Sequence, residues 1–343
     1  MSSQHAAGEQ PLSERPLRIV VYGAGAVGGH LAVRFARAGA NVSVIARGAH
    51  GAAIRERGLT LLRGSEVEHA DLPCTDDPAT LGPQDVVIVA VKQTGLSAIA
   101  GKLAALVGPT TRVVFAMNGI PWWFGDGLEV PLPAATRERL DPGNALRDAI
   151  PTDRVVGCAV YSGNVVDKPG TVRNTTPERN RMILGTPSGA RDPHLDAFAA
   201  LARQAGIDAV VTPGIREALW IKMQLIVAGS PVSALTRSPL DRVVGDPALR
   251  TIVAAIFEES RQLGLALGFA VPDDTNERIE FYRHRAIRPS MLQDLEAHKP
   301  LEVDNGILAF RDIAHAAGHV VPAMDMVAAL VGGLARKLAE PAT

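Results

Sequence analysis

Arg18-Ile-Val-Val-Tyr22-Gly23-Ala24-Gly25-Ala26-Val27-Gly28-Gly-His-Leu-Ala-Val-Arg-Phe-Ala-Arg37 decides the fold. Its first residues are β-branched or aromatic and read as a buried strand. Three glycines in G-x-G-x-x-G spacing follow at once, and an Ala-rich helical stretch follows them. In that order each glycine has a job. The first permits a tight turn, the second lets backbone approach a diphosphate, and the third lets the helix pack on the strand. The helix N-terminus then faces the phosphate charge. Gly23, Ala24, Gly25, Ala26, Val27 and Gly28 are therefore candidate cofactor-binding residues of a dinucleotide fold.

Outward from this stretch the pattern repeats. Asn41-Val-Ser-Val-Ile45, Val86-Val-Ile-Val-Ala-Val91 and Arg112-Val-Val-Phe115 alternate with Ala- and Leu-rich helical segments. Such alternation predicts βαβ units and a doubly wound Rossmann-type α/β sheet. Further on, Arg154–Tyr161, Gly170–Arg173 and Met182–Gly185, with turn residues at Lys168-Pro-Gly170, predict an antiparallel extension of that sheet. Residues 125–149 are rich in Pro, Gly and charge and read as an irregular insertion. Beyond Thr212-Pro213, read as an N-cap followed by a proline at the first helical position, helical periodicity dominates. The expected division is a disordered tail at 1–15, a dinucleotide-binding Rossmann domain at 16–213 and an all-α substrate domain at 214–343, with the chemistry in a cleft between the two domains.

Bulk properties narrow the partners. The chain has 343 residues, with 35 basic against 36 acidic side chains and a net charge of −1. No basic field is available to attract nucleic acid or an anionic membrane. No stretch reaches the ~18 uninterrupted apolar residues of a spanning helix. The N-terminal residues lack the cationic start and apolar core of a secretory signal. Two cysteines, Cys74 and Cys158, cannot make a disulfide framework. These features predict a cytoplasmic protein with a small-molecule partner, and they allow a homodimer.

The end of the second strand bears on which dinucleotide is bound. An NAD enzyme wants Asp or Glu there for the ribose hydroxyls, whereas this chain offers Ile45-Ala-Arg47-Gly48. A guanidinium suits a 2′-phosphate, so Arg47 points to NADP(H), although a solvated surface arginine is the plain alternative. In the second half one lysine stands out. Lys222 lies within Ala218-Leu-Trp-Ile-Lys-Met-Gln-Leu-Ile-Val-Ala228, and it either snorkels from a buried helix or is held for use.

At this point the blocks form a pattern. Arg216-Glu-Ala-Leu-Trp-Ile-Lys222 with Pro231 beyond it, Arg288-Pro-Ser-Met-Leu-Gln-Asp294, Glu302-Val-Asp304, Ala90-Val-Lys92-Gln and Met117-Asn-Gly119 stand in chain order behind the glycine motif. The sequence resembles the ketopantoate reductase (2-dehydropantoate 2-reductase) family from about Leu17 to Ala335, with the stretch after Pro121 departing from it. The resemblance implies NADPH-dependent reduction of a 2-oxo acid, with Lys222 donating a proton to the C2 carbonyl oxygen. It implies that Glu302 holds substrate and orients the lysine, that Ser290 meets the substrate carboxylate, and that Asn118 lies near nicotinamide and substrate. It also places Lys92 at the mouth of the cofactor cleft. Taken singly, Glu302 could be a solvated helix residue, Ser290 an N-cap, Asn118 a turn residue and Lys92 a surface charge.

One departure concerns the substrate. One and two turns beyond the lysine the family usually presents asparagines, and this chain has Ile226 and Ser230. Ser230 is retained as a candidate substrate contact, while Ile226 replaces an amide by an apolar group. Another bulky 2-oxo acid or imine is the alternative substrate, and a non-catalytic NADP-binding sensor the alternative class. Trp122-Trp123 could shape an apolar pocket or simply pack. His315 and His319 have a helical spacing, but Gly318 signals a helix end and no third ligand is apparent, so no metal is expected.

Overall fold

The structure is a computed structural model and describes residues 15–340. The tail expected at 1–15 lies outside the described residues except for Arg15. That guanidinium makes bonds of 2.6 and 2.8 Å to both carboxylate oxygens of Asp85, so residue 15 belongs with the fold.

Among the described residues there are twelve strands: β1 Arg18–Tyr22, β2 Asn41–Ile45, β3 Leu59–Arg63, β4 Glu66–Ala70, β5 Cys74–Thr75, β6 Gln84–Val89, β7 Val107–Phe115, β8 Val155–Tyr161, β9 Asn164–Lys168, β10 Thr171–Asn174, β11 Arg181–Gly185 and β12 Asp208–Val211. The helices are α1 Ala26–Arg37, α2 Gly48–Arg57, α3 Leu96–Leu103, α4 Ala134–Leu140, α5 Ala145–Ala149, α6 Pro193–Gln204, α7 Ile215–Thr236, α8 Leu240–Gly245, α9 Pro247–Ala266, α10 Thr275–Arg283, α11 Ser290–Glu296, α12 Ala309–Ala316 and α13 Pro322–Ala339.

By contact the chain forms two compact units. Of the described residues, one holds 15–91, 102–116 and 153–213, and the other holds 92–101, 117–152 and 214–340. The expected contiguous segment 16–213 is thus interrupted twice, because the loops leaving β6 and β7 carry residues that group with the helices.

The sheet unit is built on eight strands in the order β12-β11-β8-β7-β6-β1-β2-β5. β1 pairs in parallel with β2 and β6, β6 with β7, and β7 with β8. The fully buried run of β6 fits a central position, where a strand has no solvent face. β11 pairs antiparallel with β8, which gives the expected antiparallel extension. Gly170–Arg173 does not join it. β10 pairs antiparallel with β9 and parallel with β3, in a separate sheet ordered β4-β3-β10-β9. The turn at Lys168-Pro-Gly170 does close the β9–β10 pair, but a four-residue strand has no pattern saying which other edge it will meet. α1 buries Leu31 and Phe35, whose ring lies 5.2 Å from Phe198 of α6. Cys158 is a buried core residue of β8.

Thr212-Pro213 does not start the helix. The Thr212 N–H donates to Leu184 O at 2.8 Å and prolongs the pairing of β12 with β11, and Gly214 caps α7. The 125–149 stretch is not wholly irregular either, since it folds α4 and α5.

In the helical unit no strand occurs among the described residues. α7 is its axis and contacts α8, α9, α11 and α13. It is long and apolar enough to cross a bilayer by composition, and most of that stretch is buried inside the protein, as in a core helix. Trp220 anchors it: the ring stacks on Phe310 at 4.0 Å and Phe124 at 6.0 Å, and its Nε1 donates to Ser260 O at 3.0 Å. Trp122 and Trp123 are buried beneath the guanidinium groups of Arg147 and Arg216 respectively, at 5.0 and 5.5 Å. Their place is core packing. His315 Nε2 lies 2.9 Å from Asp325, joining α12 to the start of α13.

Candidate functional site

The glycine loop belongs to the sheet unit. Gly23 has φ +97°, and a Cβ there would fall 2.8 Å from Val91 Cγ1. At Gly28 it would fall 2.0 Å from Gly23 O and 2.9 Å from Val21 Cγ1, so this glycine lets α1 lie against both the loop and β1. Gly25 differs. A Cβ there would meet nothing within 4 Å, and the residue caps α1 without any side-chain bond to the first turn. The space beside Gly25 and the N–H groups at the start of α1, Ala26 and Val27 among them, make a place where a diphosphate can approach backbone. Ala24 is buried behind it.

Arg47 is exposed and caps α2 directly after β2, with no acidic residue in the first turn of that helix. Three residues on is a side chain that sequence reasoning missed. His50 Nδ1 accepts from Gly170 N–H at 3.1 Å, which leaves the ring hydrogen on Nε2 for Ala24 O at 2.7 Å. His50 therefore ties the glycine loop to the start of α2 through one neutral tautomer.

The second set of candidates lies in the helical unit, around a pocket that opens to solvent. Its wall combines Asn118, Ser230, Ser290, Asp294, Glu302 and Asn305 with the apolar Met223, Ile226, Val227, Pro231, Met291 and Ile307. Residues 222, 226 and 230 fall one helical turn apart on α7. Lys222 is only 6% exposed, and its Nζ donates to Asn118 Oδ1 at 2.7 Å. A buried amine from an otherwise apolar helix thus reaches the wall residue Asn118, and its direction is fixed by that neutral amide. Ser230 is buried two turns further on. Ser290 is exposed at the first turn of α11 and does not cap it, for Pro289 holds that position.

The loop carrying Asn118 is fixed by groups that the sequence did not announce. Asn305 Nδ2 donates to Asn118 O at 2.9 Å, and Ile120 N–H donates to Asn305 O at 2.7 Å. Gly119, at φ +110°, passes so close that a Cβ would fall 1.9 Å from Asn305 Nδ2. No other residue fits there without moving Asn305. The Gly119 N–H points at Met223 Sδ, 3.1 Å away on α7.

Glu302 accepts from the Gln93 N–H at 2.8 Å. Burial pushes its carboxyl above the usual range, against the Gln93 N–H and the Lys92 ammonium, which favour the anion, while Asp294 adds to the upward push. Lys92 is half-exposed and pairs with Asp294, whose second oxygen is buried with no hydrogen-bond partner. The resemblance assigned the orienting of the lysine to Glu302. Among the contacts of Lys222 is its bond to Asn118, and Glu302 is tied to the segment that follows β6. Gln93 and Asp294 stood inside the quoted blocks without a role, and Asn305 stood one residue beyond one. Chemically, a buried ammonium bonded to an amide can bind an oxyanion and protonate it.

Comparison with known proteins follows the same division. The ketopantoate reductase PanE/ApbA family model matches residues 19–189, and that for the ketopantoate reductase PanE/ApbA C-terminal region matches 214–335. A 2-dehydropantoate 2-reductase from Mesorhizobium japonicum is 36% identical over 324 residues, 93% of this chain and 98% of that protein. A solved structure of a Ralstonia solanacearum protein is 37% identical with a TM-score of 0.86, covering 94% of this chain and 99% of that one. A PanE/ApbA family ketopantoate reductase from Ralstonia eutropha is 27% identical with a TM-score of 0.78, covering 94% and 100%. Matched through both its sheet and its helical segments, the chain belongs to the ketopantoate reductase PanE/ApbA family, oxidoreductases acting on a CH–OH group.

Proposed function

We propose that the protein reduces 2-dehydropantoate to pantoate with NADPH. The observation that carries the reading is the Lys222–Asn118 pair, in which a buried ammonium is bonded to a residue of the pocket wall that also presents Ser230, Ser290 and Glu302. As the C2 carbonyl oxygen of a 2-oxo acid gains negative charge, the Lys222 ammonium stabilises it and then gives up a proton to it. Asn118 holds the amine in place, and Ser290 receives the substrate carboxylate. Glu302 accepts from a distal donor on the substrate.

The open space at Gly25, between the close contacts of Gly23 and Gly28, fits a dinucleotide diphosphate. Bound there, the dinucleotide supplies the hydride. Arg47, exposed beside a helix start without acids, favours the extra phosphate of NADPH. We also assign Lys92 to the cofactor, because its three donors can serve Asp294 and a phosphate oxygen together.

A second reading rests on Ile226. With Met223, Val227, Met291 and Ile307 it makes much of the wall apolar. That favours a bulky 2-oxo acid without a distal hydroxyl. A screen of NADPH oxidation over 2-oxo acids of similar size, ketopantoate included, tests both. Turnover of ketopantoate supports the first reading, and tenfold better kcat/KM for a hydroxyl-free acid replaces it by the second. NADPH binding without turnover of any 2-oxo acid would leave a sensor.

A further inference from the structure

We propose that the 125–150 insertion is part of the substrate site, and that Gln93 is the positioning residue through which it holds Glu302. The proposal rests on the assignment of Glu302 to the substrate.

Gln93 faces three ways. Its N–H donates to Glu302 Oε1 at 2.8 Å, its side-chain Nε2 donates to Leu140 O at 3.1 Å, and its Oε1 lies 3.5 Å from Asn305 Nδ2. Leu140 is the last residue of α4, the first helix of the insertion. α4 is itself fastened from its other side. Thr136 Oγ1 donates to Asp312 Oδ2 at 3.0 Å, and the Arg139 guanidinium pairs with Asp312 and lies 3.7 Å from Asp304. Asp304 and Asn305 stand two and three residues after Glu302 in the chain. The insertion therefore grips the Glu302 segment twice, once through Arg139 and once through Gln93. Asn305 extends the same network to the carbonyl of Asn118, the residue that holds Lys222. A backbone N–H can hold a carboxylate only while the backbone is still, and the Gln93 side chain is what anchors that backbone on both flanks.

The consequence appears in titration. Lys92 from the segment after β6 and Asp294 from α11 are the charged groups that face Glu302, with Asp304 and Arg139 further along the turn and Lys222 beyond Asn118. The Gln93 N–H favours the anion of Glu302. Loosening it lets the proton bind more tightly, so the anion is lost at a higher pH as acid is added. If ionised Glu302 is needed, the acidic limb of kcat/KM moves to higher pH.

The test uses Gln93→Met, which keeps chain length and the backbone N–H but removes both side-chain bonds, and Arg139→Gln, which releases α4 without touching Gln93. Each should lower kcat/KM by roughly 3–10-fold, the effect of losing one or two hydrogen bonds. Each should also shift the acidic limb upward while Tm changes little. Carboxyl-carbon NMR of Glu302, assigned with Glu302→Gln, reads the same ionisation without turnover. An upward shift in both variants supports the proposal. An unmoved Glu302 titration in Gln93→Met overturns it even if activity falls, because a merely structural role would lower activity at every pH alike. A shift in Arg139→Gln alone also overturns the part given to Gln93. If instead the wild type turns over no 2-oxo acid, the functional reading fails, and the NMR titration still decides whether Gln93 holds Glu302.

Discussion

The glycine loop and the Lys222 pocket are built on opposite principles. The loop is a contiguous stretch, Gly23 to Gly28, whose shape is dictated by three residues without side chains and by the helix that begins within it. The pocket gathers residues 118, 230, 290, 302 and 305 from segments far apart in the chain, with Gln93 and Lys222 bonded to Glu302 and Asn118 behind them. In the loop sequence order is itself geometry. In the pocket geometry comes from packing, and each polar side chain is held by another that only the fold supplies. Substitutions should therefore act locally in the loop and propagate in the pocket.

The largest effect is expected at Lys222. Lys222→Ala removes the proposed proton donor and should cut kcat by at least ~100-fold, the range of general acid catalysis. NADPH affinity should hardly change, since the loop that would bind the dinucleotide is untouched. Stopped-flow turnover with a fluorescence titration of NADPH measures both. If kcat barely falls, the lysine is a snorkelling core residue and the pocket needs another acid.

Arg47 tests the other region. Arg47→Ala should weaken NADPH by ~1.5–3 kcal/mol through loss of a charge-assisted contact, and NADH by much less. Equal losses for the two dinucleotides, measured as Kd, would remove the arginine from phosphate recognition.

What could be read from sequence divides along the same line. The strand–glycine–helix order made the loop legible because the strand, the three glycines and the helix stand together within twenty residues. Lys222 was legible for a different reason, as a single charge in an apolar helical run. The holders of these groups were not. His50 meets Ala24 and Gly170, and neither contact leaves a trace in local periodicity. Asn305 meets Asn118 across the unit, and only the Asn305-Gly306 dipeptide after the Glu302 block could have flagged a turn there. Gly170–Arg173 was misplaced because its partner β3 had not been recognised, and a hairpin signal alone put it in the larger sheet. Thr212-Pro213 imitates a helix start, and pairing with Leu184 keeps Thr212 extended instead.

A smaller effect follows at His50. His50→Leu keeps bulk but loses both ring contacts, leaving Ala24 O and Gly170 N–H without this partner. Two neutral hydrogen bonds are each worth ~0.5–1.5 kcal/mol. Part of that should appear as weaker dinucleotide binding, by roughly 3–10-fold, because the glycine loop is less well held. Equal weakening of NADPH and NADH is expected, in contrast to Arg47. A change in Tm with unaltered dinucleotide Kd would show that the loop keeps its shape without the histidine.

The smallest effect concerns substrate choice, and there the pocket's two characters oppose each other. Ser230, Ser290 and Glu302 offer polar contacts for a 2-oxo acid with a distal hydroxyl, whereas Ile226, one turn beyond Lys222 and half-buried in the wall, offers none. A neutral hydrogen bond to substrate is worth ~0.5–1.5 kcal/mol. Its absence should raise KM for ketopantoate by several-fold without abolishing turnover. Ile226→Asn should restore an amide on the same face and lower that KM, while kcat changes little. The amide would also need partners when no substrate is bound, and Ser230, the next turn along α7, is the nearest candidate on that face. The comparison should be made as kcat/KM for ketopantoate against a hydroxyl-free 2-oxo acid of similar size. A selective gain for ketopantoate would make Ile226 the residue that tunes the pocket. A fall for both acids would mean that the apolar wall is itself the recognition element, and that the true substrate presents hydrocarbon to α7.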